Sequence, residues 1–203
     1  DAARSREFPC KHGSMIDILQ RLLQNKALKQ NRNYWVEDKS QVSDSSEYVF
    51  FTGCIPYLNG IFSYTDSLEI GKSALKLFNK AGVKPTVSNE ERCCGHNLLW
   101  NGDVEGFRRL GEMNLELFKK LKAEGAKRIV ATCAECYRTL KYDYPERFGE
   151  LPLEVIHMSQ FIKEMVAAGR LKFNELKMDV TYHDPCRLGR HSKSYEEPRS
   201  VLK

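Results

Sequence analysis

The chain has 203 residues, 41% of them hydrophobic, which suits one domain with a buried core, or one domain and part of another. Its net charge of +5 comes from 32 basic and 27 acidic residues that are interspersed, the look of a solvated surface and not of a nucleic-acid footprint. No run of about 18 apolar residues offers a membrane span, and the opening Asp1-Ala2-Ala3-Arg4-Ser5-Arg6 has no apolar core of a secretory signal. Seven cysteines, an odd number, point to ligands or redox thiols in a cytoplasmic setting more than to a disulfide frame. The chain does not begin with Met, and it ends shortly after a motif has opened around Cys186, so it reads as an internal section of a longer protein.

The first plausible element is a helix from Ser14, a candidate cap, to about Leu28, with Met15, Ile18, Leu19, Leu22 and Leu23 on one stripe. Cys10 before it has no partner at ligand spacing and reads as a structural thiol. Asn31 to Ser46 is polar, so residues 1–46 read as a helical linker. From Tyr48 the pattern becomes regular. Tyr48-Val49-Phe50-Phe51 suits a buried parallel strand and runs into Thr52-Gly53-Cys54. A helix from about Asp66 to Ala81 is closed by Gly82, with Leu68, Ala74, Leu75 and Phe78 inward. Val83 to Val87 is a second strand candidate, leading to Cys93-Cys94-Gly95. Asp103 can cap a helix to Glu124 that turns Phe107, Leu110, Leu117, Phe118 and Leu121 inward, and Gly125 closes it. Arg128-Ile129-Val130-Ala131 is a third strand, ending in Thr132-Cys133. A helix from Cys136 to about Tyr144 should stop before Pro145. Val155-Ile156-His157 is a fourth strand, Ser159 opens a helix to Ala168, and Val180-Thr181-Tyr182 is a fifth strand before His183-Asp184-Pro185-Cys186.

Alternating strands and helices predict an α/β fold, a Rossmann-like parallel sheet with helices on both faces. Sites in such sheets gather beyond the carboxyl ends of the strands. Cys54, Cys133 and Cys186 each follow a predicted strand, and Cys93-Cys94 falls between a strand and a helix at the same end. Five cysteines form one pattern, C-x38-C-C-x38-C-x2-C, over Cys54, Cys93, Cys94, Cys133 and Cys136. Thiolates are soft ligands that select zinc, copper(I) or iron–sulfur clusters. Structural zinc takes four ligands in paired C-x2-C units, whereas here there is one such unit, one adjacent pair and one lone residue. Adjacent side chains diverge, so Cys93 and Cys94 suit two irons of a larger cluster, with Gly95 permitting the tight turn. Cys133-x-x-Cys136 alone would also fit a dithiol redox motif, and a zinc-stabilised interaction domain is a third alternative.

With these motifs in view, the sequence resembles the cysteine-rich CCG domain of the B-type and D-type heterodisulfide reductase chains, also found in lactate and glycolate oxidase iron–sulfur subunits. The matching residues are Phe51-Thr52-Gly53-Cys54, Cys93-Cys94-Gly95 and Thr132-Cys133-x-x-Cys136. His183-Asp184-Pro185-Cys186-Arg187-Leu188-Gly189-Arg190 resembles the opening of a second copy. The nearest resemblance is to the D-type chains and their relative in the membrane-linked sulfite-reduction complex. It implies residues 47–176 as a first CCG domain, 177–203 as a truncated second, and 1–46 as a linker from a ferredoxin-like domain. It implies a [4Fe–4S] cluster, non-cubane in form, held by Cys54, Cys93, Cys94, Cys133 and Cys136, with Cys186 belonging to a second site. The implied activity is one-electron reduction of a disulfide or sulfur substrate, and the alternative is an electron-relay module linked to quinone or flavin partners. Expected partners are a ferredoxin-like, flavin or membrane cytochrome subunit and a thiol or disulfide substrate, with membrane association only through such subunits. The gap from Cys94 to Cys133 is longer than the family's usual one. The double cysteine of the second motif is absent, so the chain alone should not cleave disulfides. His96 is a candidate for a hydrogen bond to cluster sulfur or for donating a proton to substrate, and His183 for serving the second site, with a satisfied or structural histidine as the other reading of each; Arg92 is the candidate for offsetting thiolate charge.

Overall fold

The computed structural model describes residues 14–62 and 66–202. Cys10 lies outside the described residues, as do the side chains of Ser14 and Met15. Three parallel strands form the sheet in the order β1 (Tyr48–Phe51), β2 (Arg128–Ala131), β3 (Glu154–His157). Tyr48 stands opposite Arg128, and Arg128 opposite Glu154. The strands are short and their central residues are apolar and buried, as expected for strands covered on both faces.

Side chains alternate along each strand and so sort into two cores. Val49 and Phe51 of β1, Ile129 and Ala131 of β2 and Val155 of β3 point to one face. There they meet α1 (Ser14–Leu23) and α5 (Val104–Ala123). Phe50, Val130 and Ile156 point to the other, under α3 (Ser67–Lys80) and α8 (Met158–Ala167). Helices therefore cover both faces of an open parallel sheet. The Asp103 carboxylate caps α5 by accepting the Gly106 N–H at 2.9 Å.

Four sequence expectations change. The stretch Val83–Val87 is not a strand: Thr86 alone pairs with β1, through a single parallel bridge to Val49. Pro85 in its middle has no N–H to offer a ladder. Val180-Thr181-Tyr182 forms no strand, and Val180 is 60% exposed. No described strand lies alongside to supply the backbone partners that a strand needs. The helix after Cys133 does not stop before Pro145. It runs as α6 (Ala134–Arg138), a π-helical turn (Thr139–Asp143) and α7 (Tyr144–Phe148). The wider turn lets Pro145 sit in the first turn of a new segment, where its missing N–H is not needed. Finally, α1 ends at Leu23, not Leu28, and only part of its stripe is covered. Leu19 and Leu23 are buried in the first core, while Ile18 and Leu22 stand 50% and 57% exposed. The segment read as a linker thus contributes to the packed body. Three short helices had no clear pattern in the sequence: α2 (Ile55–Ile61), α4 (His96–Trp100) and α9 (Glu196–Leu202).

Candidate metal centre

The centre is built from three turns at one rim of the sheet. Beyond β1 the chain turns at Gly53, with φ of +59°, and enters α2 with Cys54 at its N-cap. A Cβ at Gly53 would stand 2.9 Å from Cys136 Sγ, so this turn lies directly against the third cysteine motif. The second turn carries Cys93 and Cys94 into Gly95, with φ of +81°, which opens α4. A Cβ at Gly95 would come within 2.8 Å of the Phe107 ring, so glycine is needed there for both conformation and space. Beyond β2, Cys133 is the N-cap of α6, and Cys136 faces inward one turn later.

These turns bring five cysteine side chains together at one rim. Cys54 Sγ lies 3.8 Å from Cys93 Sγ. Cys93 and Cys94 interact through their side chains, as do Cys94 and Cys136, and Cys136 and Cys133. Cys93, Cys94 and Cys136 are buried, Cys54 is half-buried and Cys133 is exposed. Thiol donors from Cys54 and Cys94 hold Cys93 well below the usual thiol range, aided by the Gly95 N–H at 3.4 Å and the Gln20 amide at 3.2 Å. The Cys136 thiol holds Cys133 down in the same way. Cys54 is pushed up by donating to Cys93 and by burial, and Cys136 by its hydrogen bonds to Cys133 and Cys94. Hydrogen bonds from the neighbouring thiols favour thiolate at Cys93 and Cys133, the form that binds metal.

Buried polar side chains fix the backbone of this rim. The Glu91 carboxylate accepts from Thr52 N–H at 3.1 Å, Thr52 Oγ1 at 3.0 Å and Gly53 N–H at 2.8 Å. It also accepts from Arg32 Nη2 at 3.0 Å, and the same guanidinium donates to the Gly53 carbonyl. A carboxylate surrounded only by donors is an ionised one, although burial pushes Glu91 up against the pull of Arg32. Asn114 accepts the Arg92 N–H at 2.8 Å and donates to the Cys93 carbonyl at 3.2 Å. The Tyr144 hydroxyl donates to the Cys94 carbonyl at 3.1 Å. Both carbonyls of the cysteine pair are thus held by residues from two different helical segments.

The other residues singled out in the sequence fare differently. His96 is 2% exposed, its Nδ1 2.7 Å from the Thr139 hydroxyl and its Nε2 3.7 Å from the Glu135 carboxylate. His183 is exposed. Cys186 is exposed as well, and its carbonyl accepts the His191 N–H. The turn after it nonetheless lies on the body, with Leu188 buried in the first core and Arg187 stacked 3.7 Å over the Trp100 ring. The Arg92 guanidinium reaches the Lys26 and Leu28 carbonyls at 3.4 Å. The cation acting on Cys54 and Cys93 is Arg32 instead. Sequence reasoning missed Arg32, Glu91, Asn114, Tyr144 and Gln20. Asn114 left a signal, a polar residue in phase with Leu110, Leu117 and Leu121. Arg32, in a polar connector, left none.

Among the described residues, no three His, Cys, Asp or Glu side chains gather around one point as a single ion's ligands would. Five cysteines at one rim, with two N–H donors on Cys93 and a buried cation nearby, exceed what one tetrahedral ion needs and suit a larger anionic group.

Residues 48–141 match the family described as the cysteine-rich domain, CCG. The D subunit of dihydromethanophenazine:CoB–CoM heterodisulfide reductase from Methanosarcina barkeri is 36% identical over 180 residues, 86% of this chain and 42% of that protein. The EtfAB:quinone oxidoreductase of Syntrophomonas wolfei is 36% identical over 160 residues, 77% of this chain and 21% of its own length. The B subunit of fumarate reductase (CoM/CoB) from Methanothermobacter marburgensis is 33% identical over 153 residues, 75% of this chain and 28% of its own. The chain therefore spans less than half the length of these relatives. No solved structure matches it.

Proposed function

We propose, for a chain whose residues 48–141 belong to the CCG cysteine-rich family, that it is the iron–sulfur part of an oxidoreductase subunit of the heterodisulfide reductase type. The observation that carries this reading is the gathering of five cysteines at one strand-end rim, Cys54, Cys93, Cys94, Cys136 and Cys133. These five are the proposed ligands of a [4Fe–4S] cluster of non-cubane form. Bound there, such a group supplies one-electron transfer. Glu91 fixes the Gly53 turn, Asn114 and Tyr144 fix the Cys93-Cys94 turn, and Gly53 and Gly95 allow the close approach of the rim segments. His96, between the Thr139 hydroxyl and the Glu135 carboxylate, is the group placed to hold a proton beside the C-x-x-C turn. Cys133 is the exposed residue of the five, which makes its side the proposed approach for a substrate or partner.

The net reaction proposed is reduction of a disulfide to two thiols with two electrons and two protons, or of a related sulfur substrate. Residues 47–176 are read as one CCG domain and 177–203 as the opening of a second, where Cys186, with His183 nearby in sequence, would serve a further site. Because this sequence holds no second double cysteine, these 203 residues alone are expected not to turn over a disulfide. Proposed partners are ferredoxin-like, flavin or cytochrome subunits. The proposed location is cytoplasmic, with membrane contact through those subunits; no described helix is long and apolar enough to cross a membrane. A relay role without bond chemistry is the second reading, favoured by the relative named as a quinone oxidoreductase.

Anaerobically purified protein is expected to be brown and to hold about four irons and four sulfides. Cys93→Ser and Cys94→Ser should abolish or transform the centre, while Cys10→Ser should leave its iron content intact. Stoichiometric zinc without sulfide, or equal iron in all three variants, defeats the assignment. A paramagnetic resonance signal that changes on adding a disulfide supports direct chemistry, and an unchanged one supports the relay.

A further inference from the structure

Two residues that touch the centre come from outside the matched stretch 48–141. Gln20, on α1, is 1% exposed and donates its side-chain amide to Cys93 Sγ at 3.2 Å. Its neighbours Leu19 and Leu23 are buried in the core that contains Cys93, Cys94 and Cys136, so the helix is pinned against the rim. The Gln20 Oε1 is buried and has no partner among the described residues. A buried acceptor left unsatisfied costs about 1–3 kcal/mol, which an apolar residue here would avoid. The feature that distinguishes Gln20 from an apolar residue is the donor it places on sulfur. Arg32, in the following connector, is fully buried and acts electrostatically on Cys54 and Cys93. Its backbone is fixed by the Asn89 side chain, and its carbonyl by Trp35 Nε1 at 2.8 Å.

We propose that Gln20 is a positioning residue that sets the reduction potential of the centre from its Cys54–Cys93 side, with the buried Arg32 cation acting in the same direction. The inference rests on the cluster reading above. Adding an electron makes a thiolate-bound group more negative. A donor on ligand sulfur and a nearby cation favour the more negative state and so raise the potential. The N-terminal helix is then part of the redox site and not only a connector to it.

The test is a redox titration of the full 203-residue chain, loaded anaerobically with iron and sulfide and followed by paramagnetic resonance and visible absorption. Gln20→Met removes the donor and keeps the volume; Gln20→Ser takes the donor out of reach without crowding Cys93. Both should bind iron as the wild type does. At the wild-type midpoint, their reduced-to-oxidised ratio should fall about threefold, roughly 28 mV on a scale of 59 mV per decade for one electron. Unchanged potentials in the Gln20 variants overturn the proposal. Failure of both to load iron overturns it too, because tuning leaves the ligand set intact. A wild-type chain that takes up no iron sinks the cluster reading and this inference together, so the two failures are told apart by wild-type iron content.

Discussion

The two faces of the sheet are made by the same three strands and do different things. On the face under α3 and α8 the packing is dry. Phe50, Phe78 and Phe161 meet with ring centroids 5.7 and 4.5 Å apart, and Trp35 packs edge-on against Phe50. On the face under α1 and α5, buried polar groups enter the core. Asn114, Tyr144 and Gln20 sit among leucines and phenylalanines, and each hydrogen-bonds to the cysteine pair. The difference separates two jobs. One face supplies bulk apolar burial, which is non-directional. The other gives up some of that burial to hold two carbonyls and a sulfur in fixed places.

The largest effect should come from breaking the dry face. Phe78→Ala empties a fully buried site between two aromatic rings, and the loss should be about 4 kcal/mol. Urea unfolding of the metal-free protein measures it. If the two faces are separate in function, any variant that still folds should bind iron in the wild-type ratio. Reduced loading at full folding would show that the dry face also shapes the rim.

Next is the Arg32–Glu91 pair, where both side chains are almost wholly buried. Glu91→Gln leaves the guanidinium without its counter-charge and weakens the hold on Thr52 and Gly53. About 3 kcal/mol should be lost. In a double-mutant cycle with Arg32→Met, the combined change should cost clearly less than the sum of the two single changes. Simple additivity would mean that the two groups contribute independently, contrary to the geometry.

The apolar packing of both faces was largely legible in the sequence, and the buried polar groups beside the cysteines were not. Phe50 follows from the continuous apolar run of β1, and Leu75 and Phe78 from the helical stripe of Ser67–Lys80, patterns that burial writes directly into the chain. The five cysteines were legible from their spacing at strand ends. The strand expected at Val83–Val87 failed because one proline outweighs the β-branched residues around it. The strand expected at Val180–Tyr182 failed because a strand needs a neighbour, which local pattern does not supply. Arg32 and Gln20 were not legible for a related reason. Their partners, Glu91 and Cys93, lie 59 and 73 residues away, and hydrogen bonds over such separations leave no periodic trace.

The smallest effect concerns His157, which closes β3 and by alternation shares the face of Val155. Its Nδ1 accepts the Ser159 N–H at 3.2 Å, so the proton sits on Nε2, which donates to the Thr132 carbonyl at 3.0 Å just before Cys133. Burial holds the ring below the ordinary histidine value, against the raising effects of Thr132 and Glu197. The fold therefore favours the neutral ring. Its contribution is complete above the unfolded value of about 6.5 and is lost as pH falls from there through the lower folded value. His157→Gln removes this proton linkage. The variant should be less stable than the wild type at about pH 7.5, and the gap should narrow on going to about pH 5. Paired urea titrations at the two pH values read the difference directly, and groups common to both proteins cancel. A gap that widens on acidification would mean that the protonated ring is the form that the fold prefers, and that His157 does not hold the Cys133 turn through a neutral Nε2–H.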